Sequence, residues 1–168
     1  MKLEVARPLG LSIILVAAFL IVVPFINVLP TVIPIRLGSR DWRFGTWGFY
    51  LTALTMPTLG CGLLALGGVL RRSRPVLRVV FLVASIMALL AVLGLAGFLI
   101  DGAALRGANP DPGAKRLFNQ GIGRTLVMAG LAIPALVAIA YASIKGAAGL
   151  EQETLAGKDS KIFVGGTF

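Results

Sequence analysis

Histidine is absent from this sequence, and cysteine occurs once, at Cys61. Without imidazole, no haem or chlorophyll is held through histidine, no His/Cys zinc site forms, and no Ser-His-Asp or Cys-His nucleophile exists. A single cysteine makes no intrachain disulfide, and its place in Gly60-Cys61-Gly62 reads as a small packing residue. No Gly-rich phosphate loop ends in Lys-Ser or Lys-Thr, and no metal-ligand spacing or carboxylate pair marks an active centre. Charge is the broadest shortage. Only 14% of residues are charged while 57% are hydrophobic; a water-soluble domain carries about 25% charged residues.

The positions without charge define the architecture. Leu9–Ile35, Phe44–Leu70, Val79–Ile100 and Thr125–Ile144 contain no Asp, Glu, Lys or Arg. Each reaches the ~20 residues needed to cross hydrocarbon. Backbone groups in lipid must be bonded within their own segment, so these runs are helices. The expectation is an all-α integral membrane protein with four transmembrane helices, at about 9–33, 47–70, 77–100 and 125–144. They form one domain, 1–146, followed by a tail, 147–168. The first run is too long for a secretory signal and lacks a small-x-small cleavage site, so it is expected to be a retained helix.

Net charge is +9, which in a soluble chain would suggest nucleic acid. Here the basic residues fall in short segments between spans, with no long basic run and no nucleic-acid module, so anionic lipid headgroups are the expected counterpart. The turn holding Arg71, Arg72, Arg74 and Arg78 has four positive charges and no acid. By the positive-inside rule it lies in the cytoplasm, and both termini lie there with it. The localisation that follows is a bacterial inner membrane, cytoplasmic or photosynthetic, crossed several times.

Within the spans, prolines and small residues carry the signal. Pro24, Pro30 and Pro34 predict that the first helix ends near Leu29 and continues as an extended segment. Thr52, Thr55 and Thr58 flank Pro57, where their hydroxyls can bond carbonyls that proline frees. Gly60 and Gly62 open a slim surface on the second helix. Ala84, Ala88 and Ala91 form a small-residue face on the third, and Ala135, Ala138 and Ala142 another on the fourth. Such faces let helices approach closely in lipid. No ionisable residue lies within a span, which argues against an autonomous pump or secondary transporter.

The segment Asp101–Arg124 reads as the longest polar connection, with a turn at Asn109–Gly113 and a short interfacial helix over Ala114–Gln120. Asp101 and Asp111 read as solvated loop charges. The remaining polar concentration is Ser39-Arg40-Asp41-Trp42-Arg43-Phe44-Gly45-Thr46-Trp47-Gly48-Phe49-Tyr50. Trp42, Trp47 and Tyr50 suit a headgroup belt, Arg40 and Arg43 reach lipid phosphate, and Asp41 caps a helix start or pairs with either arginine. The stretch is therefore an expected interface anchor, with a partner contact as the second reading. Catalysis would have to rest on Arg40, Asp41 and Arg43 alone.

The run Arg36–Leu70 resembles the HpsJ-like family of small four-helix membrane proteins, known mainly from cyanobacteria and linked with hormogonium polysaccharide genes. The resemblance rests on Asp41-Trp42 after a Pro-rich helix end, and on Met56-Pro57-Thr58-Leu59-Gly60-Cys61-Gly62-Leu63-Leu64. The basic turn and the four-span layout agree with it; the connection after the third helix and the tail do not. The resemblance implies architecture, a phototrophic host and no catalytic residues. Together these readings lead to a non-catalytic accessory subunit of a larger membrane complex, such as a photosynthetic reaction-centre or light-harvesting assembly. The alternative is a component of exopolysaccharide assembly or export. Other membrane subunits are the expected partners, with lipid, carotenoid or a neighbouring pigment touched without histidine ligation.

Overall fold

A computed structural model describes residues 2–108 and 112–164, with side chains placed for 10–107, 113 and 115–152. Among them every element is an α-helix: α1 (Lys2–Val32), α2 (Arg40–Ala53), α3 (Thr55–Leu70), α4 (Arg74–Ala108) and α5 (Pro112–Val164). Four stretches are long and apolar enough to cross a membrane: Gly10–Val32, Arg40–Leu70, Arg74–Gly107 and Lys115–Gln152. The pattern is that of a multi-pass membrane protein.

The second span is two helices rather than one, and it starts at Arg40 instead of 47. Leu54 stays in right-handed helical geometry but ends α2 and begins α3. Pro57 is the cause, because it has no N–H for the carbonyl of Ala53. The neighbouring threonines bond other carbonyls than that of Ala53, which Pro57 frees. Thr58 Oγ1 donates to the Leu54 carbonyl at 2.8 Å, and Thr52 Oγ1 reaches the Gly48 and Phe49 carbonyls at 2.9 Å.

In α1, by contrast, the helix continues past Leu29 through Pro30 to Val32. Its last turns are kept by Ile33 N–H donating to the Leu29 carbonyl at 3.1 Å and by the Thr31 hydroxyl on the Val28 carbonyl. The turn between α3 and α4 is closed by paired backbone bonds. Ser73 N–H donates to Gly68 and Arg72 N–H to Val69, with Arg72 in the left-handed region at φ 50°. That is the helix-ending motif usually built on glycine.

The expected polar loop and tail are largely helical. The segment 101–124 is helical on both sides of residues 109–111, which lie outside the described residues, as does most of the expected Asn109–Gly113 turn. Beyond residue 147, α5 runs on to Val164. Arg74 Nη2 donates to the Leu150 carbonyl, and Arg78 Nη2 lies 3.4 Å from Glu151 Oε2, so the start of α4 holds this extension. The final residues, 165–168, lie outside the described part.

The core forms where the α2–α3 pair, α4 and α5 converge, with Leu51, Leu54, Cys61 and Leu136 fully buried or nearly so. Ala84, Ala88 and Ala91 of α4 are buried in it. On α5 the packing stripe is Ala129, Ala132, Leu136, Ala140 and Ser143, one position round from the expected face. Ala138 and Ala142 are exposed and Ala135 is half-buried. A rotation of one residue, about 100°, separates these stripes, and both have small residues at helical spacing.

The two glycines of the second span also part company. A Cβ at Gly60 would lie 2.7 Å from Ile21 Cγ1 and 2.9 Å from the Ala17 carbonyl oxygen, so α1 seats directly on α3 there. At Gly62 the nearest atom is Ile139 Cδ1, at 3.7 Å. Helix α1 packs on α3 and α2, and its backbone nowhere comes into contact with α4 or α5 among the described residues. Only 11% of its apolar window is buried, against 39% for Arg40–Leu70, which makes α1 the peripheral helix. Leu11, Leu15, Phe19, Val22 and Ile26 form its outward stripe.

Candidate functional site

At the end away from the Arg71–Arg74 turn, α2, the end of α4 and the start of α5 run on beyond the uncharged stretches and pack together. Ser39 begins α2: its hydroxyl accepts from Trp42 N–H at 3.4 Å. Asp41 sits in the first turn, where its charge meets the positive end of the helix dipole. One turn later Arg43 reaches across to α4. Its Nε donates to Asp101 Oδ2 at 2.9 Å and its Nη2 to Oδ1 at 2.8 Å, while Nη1 donates to the Leu37 carbonyl at 2.7 Å. One guanidinium therefore ties α2, α4 and the connection from α1. Both carboxylate oxygens are satisfied in the parallel geometry that distinguishes arginine pairs.

Asp101 is only 6% exposed, so it is a buried structural partner and not a solvated loop charge. Arg43 pairs with it rather than with Asp41. Sequence reasoning missed the pair because its members are 58 residues apart. A usable signal existed: Arg43 and Asp101 each border an uncharged stretch, which puts opposite charges at one boundary of two spans.

Aromatic rings fill the seam beside this pair. Phe44 stacks between Phe98, 4.5 Å away, and Phe118, 5.0 Å away, so one ring from each of three helices joins a column. Trp47 lies on glycines of α4. A Cβ at Gly94 would be 2.5 Å from Trp47 Cε3, and one at Gly97 would be 3.0 Å from Nε1. Gly48 and Gly102 similarly admit Phe98 and Phe44. These α4 glycines extend the Ala84–Ala91 face toward the helix end, a continuation not read from the sequence.

Tyr50 is also interior, 8% exposed, with its hydroxyl donating to the Met87 carbonyl at 3.4 Å. Trp47 and Tyr50 are therefore packing residues of the helix seam. Arg40 and Asp41 do lie exposed. On another face of α2, Trp42 Nε1 and Thr46 Oγ1 are buried atoms without a hydrogen-bond partner among the described residues.

Recesses open beside this framework and at the other end of the bundle. Between α1 and α5, whose backbones do not come together among the described residues, a lateral groove of about 550 Å³ is floored by the α2–α3 junction. Across Phe49 and Thr52 it adjoins a smaller cleft of about 330 Å³ between α2 and α5, beside Phe118 and Thr125. At the opposite end, Arg71, Arg72 and Arg74 border an open recess of about 540 Å³. Among the described residues no three His, Cys, Asp or Glu side chains converge in a way that could hold a metal ion. The arrangement is suited to holding helices and presenting surfaces. No family model, curated protein or solved structure matches the chain.

Proposed function

We propose that this protein is a non-catalytic accessory subunit that packs against the helices of a larger complex in a bacterial inner membrane. One observation carries the reading: Ala138 and Ala142, with Ala135 beside them, form a small-residue stripe that internal packing leaves outward. Fluid lipid chains adapt to large side chains as readily as small ones, whereas a second helix gains close van der Waals contact from a slim face. The poorly covered α1 offers further surface for the same role. The resemblance over Arg36–Leu70 supports a phototrophic host, and with it a reaction-centre or light-harvesting assembly. In that setting the chain touches carotenoid, lipid or a neighbouring pigment protein. The charge density of the arginine turn supports a cytoplasmic position for it and for both termini.

Purification from the native membrane in mild detergent tests the proposal. The wild-type chain should migrate within a larger complex. Ala138→Phe with Ala142→Leu should release it while leaving its helicity unchanged. Migration of the wild type as a lone monomer or self-oligomer would overturn the reading. The same resemblance supports a second reading, exopolysaccharide assembly or export. A deletion that leaves the cell's polysaccharide intact would reject it.

A further inference from the structure

The lateral groove between α1 and α5 has a chemical polarity that matches a membrane lipid. Much of its lining is apolar, with Leu20 and Val23 from α1, Met56 from α3 and Met128 from α5. The polar members of the lining are Asn27, Thr52, Thr55 and Arg124; the Thr52 hydroxyl donates to the Gly48 and Phe49 carbonyls and the Thr55 hydroxyl to Met128 Sδ at 3.7 Å. Arg124 is the one charged residue of the lining, no carboxylate shares the groove, and the side chain is exposed.

The position of Arg124 along α5 fixes its depth. Thr125–Ile144 is uncharged and bounded by Arg124 and Lys145. At about 1.5 Å per residue this stretch matches the ~30 Å hydrocarbon thickness, so the two cations mark its two faces. The guanidinium thus stands at headgroup level while the groove descends from it into the acyl region. Arginine is suited to phosphate because its planar donors engage two oxygens at once. A groove open along its length admits a molecule from the leaflet without any movement of the helices. Its volume of about 550 Å³ falls within the usual ~300–1,000 Å³ of ligand clefts.

We infer that this groove is a binding site for an anionic phospholipid from the leaflet at the Arg124 end. The phosphate is held by Arg124, and an acyl chain lies between α1 and α5 over Met56 and Met128. The apolar walls select for chain, and the single cation selects for headgroup charge. This goes beyond general attraction of a basic protein to anionic lipid, because it assigns the preference to one arginine among several at that end.

Native mass spectrometry of the full chain, titrated in detergent with phosphatidylglycerol or phosphatidylcholine of matched chains, tests the assignment. Wild type should bind phosphatidylglycerol about fivefold more tightly, the order expected for one basic side chain near anionic headgroups. Arg124→Gln should remove the preference, Arg124→Lys should keep part of it, and Arg116→Gln should leave it intact. Val23→Trp, which fills the groove and spares the arginine, should weaken both lipids. Far-UV ellipticity confirms that each variant is folded. Equal affinity of the wild type for the two lipids would overturn the site, as would a preference that survives Arg124→Gln. A carotenoid or partner helix co-purifying on Val23 and Met56 would overturn it too.

Discussion

Replacing Gly60 and Gly62 separately by alanine should move stability in opposite directions. In a helix interior, alanine is favoured over glycine by about 1 kcal/mol, and both sites receive that gain. At Gly62 the new methyl meets only Ile139 Cδ1 at 3.7 Å, an ordinary contact, so the variant should be stabilised by up to ~1 kcal/mol. At Gly60 it would enter space held by Ile21 Cγ1 at 2.7 Å and the Ala17 carbonyl oxygen at 2.9 Å. The isoleucine can turn, but a backbone oxygen in mid-helix cannot, so α1 must shift as a unit. Overpacking of this kind costs about 1–3 kcal/mol, which outweighs the propensity gain. The expected separation between the variants is about 2 kcal/mol, roughly thirtyfold in an equilibrium constant. Reversible unfolding in mixed micelles of mild detergent and dodecyl sulfate, followed by far-UV ellipticity, measures it. Equal shifts of the same sign would refute the view that α1 packs on α3 by backbone contact at Gly60.

The Arg43–Asp101 pair should behave as a coupled unit. Arg43→Gln or Asp101→Asn alone should lower the melting temperature, and the double variant should be less impaired than the sum of the singles, because only the double leaves no charge unpaired in the seam. Thermal unfolding in detergent reads this, and strict additivity would contradict the pairing. The exposed Arg78–Glu151 pair is expected to matter little: Glu151→Gln should change stability by less than ~1 kcal/mol. A larger loss, in the same micelle assay, would show that the α5 extension depends on it. Cys61 is fully buried, so a membrane-permeant maleimide should label it only after unfolding; rapid labelling of the folded protein would place it on an open surface.

Much of this protein was legible in one dimension. Uncharged runs of spanning length dictated helices, since hydrocarbon offers no other partner for backbone polar groups. Local chemistry was legible too, where its cause lies within one turn. Pro57 divides the second span at Leu54. The Ala84–Ala88–Ala91 face was also readable, because α4 carries few competing small stripes. On α5 the same reasoning singled out a stripe that lies mostly outside the bundle. Ala135, Ala138 and Ala142 share their periodicity with Ala129, Ala132 and Ala140, and period alone does not say which stripe faces the bundle.

The candidate site was harder to read because its chemistry lies between elements. The sequence showed a cluster of tryptophans, arginines and an aspartate beginning the second span. Only the packed helices turned Trp47 onto Gly94 and Gly97, buried Tyr50 against α4, and gave Arg43 the distant Asp101 instead of the adjacent Asp41. The groove beside Arg124 is likewise a property of two helices brought side by side by the α2–α3 pair. Composition and periodicity determine that these segments are helices and how deep each residue lies in a membrane, because each is a one-dimensional constraint along a helix axis. Rotation about that axis decides which residues meet, and it is set by side-chain fit among neighbours far away in the chain, which only the tertiary structure contains.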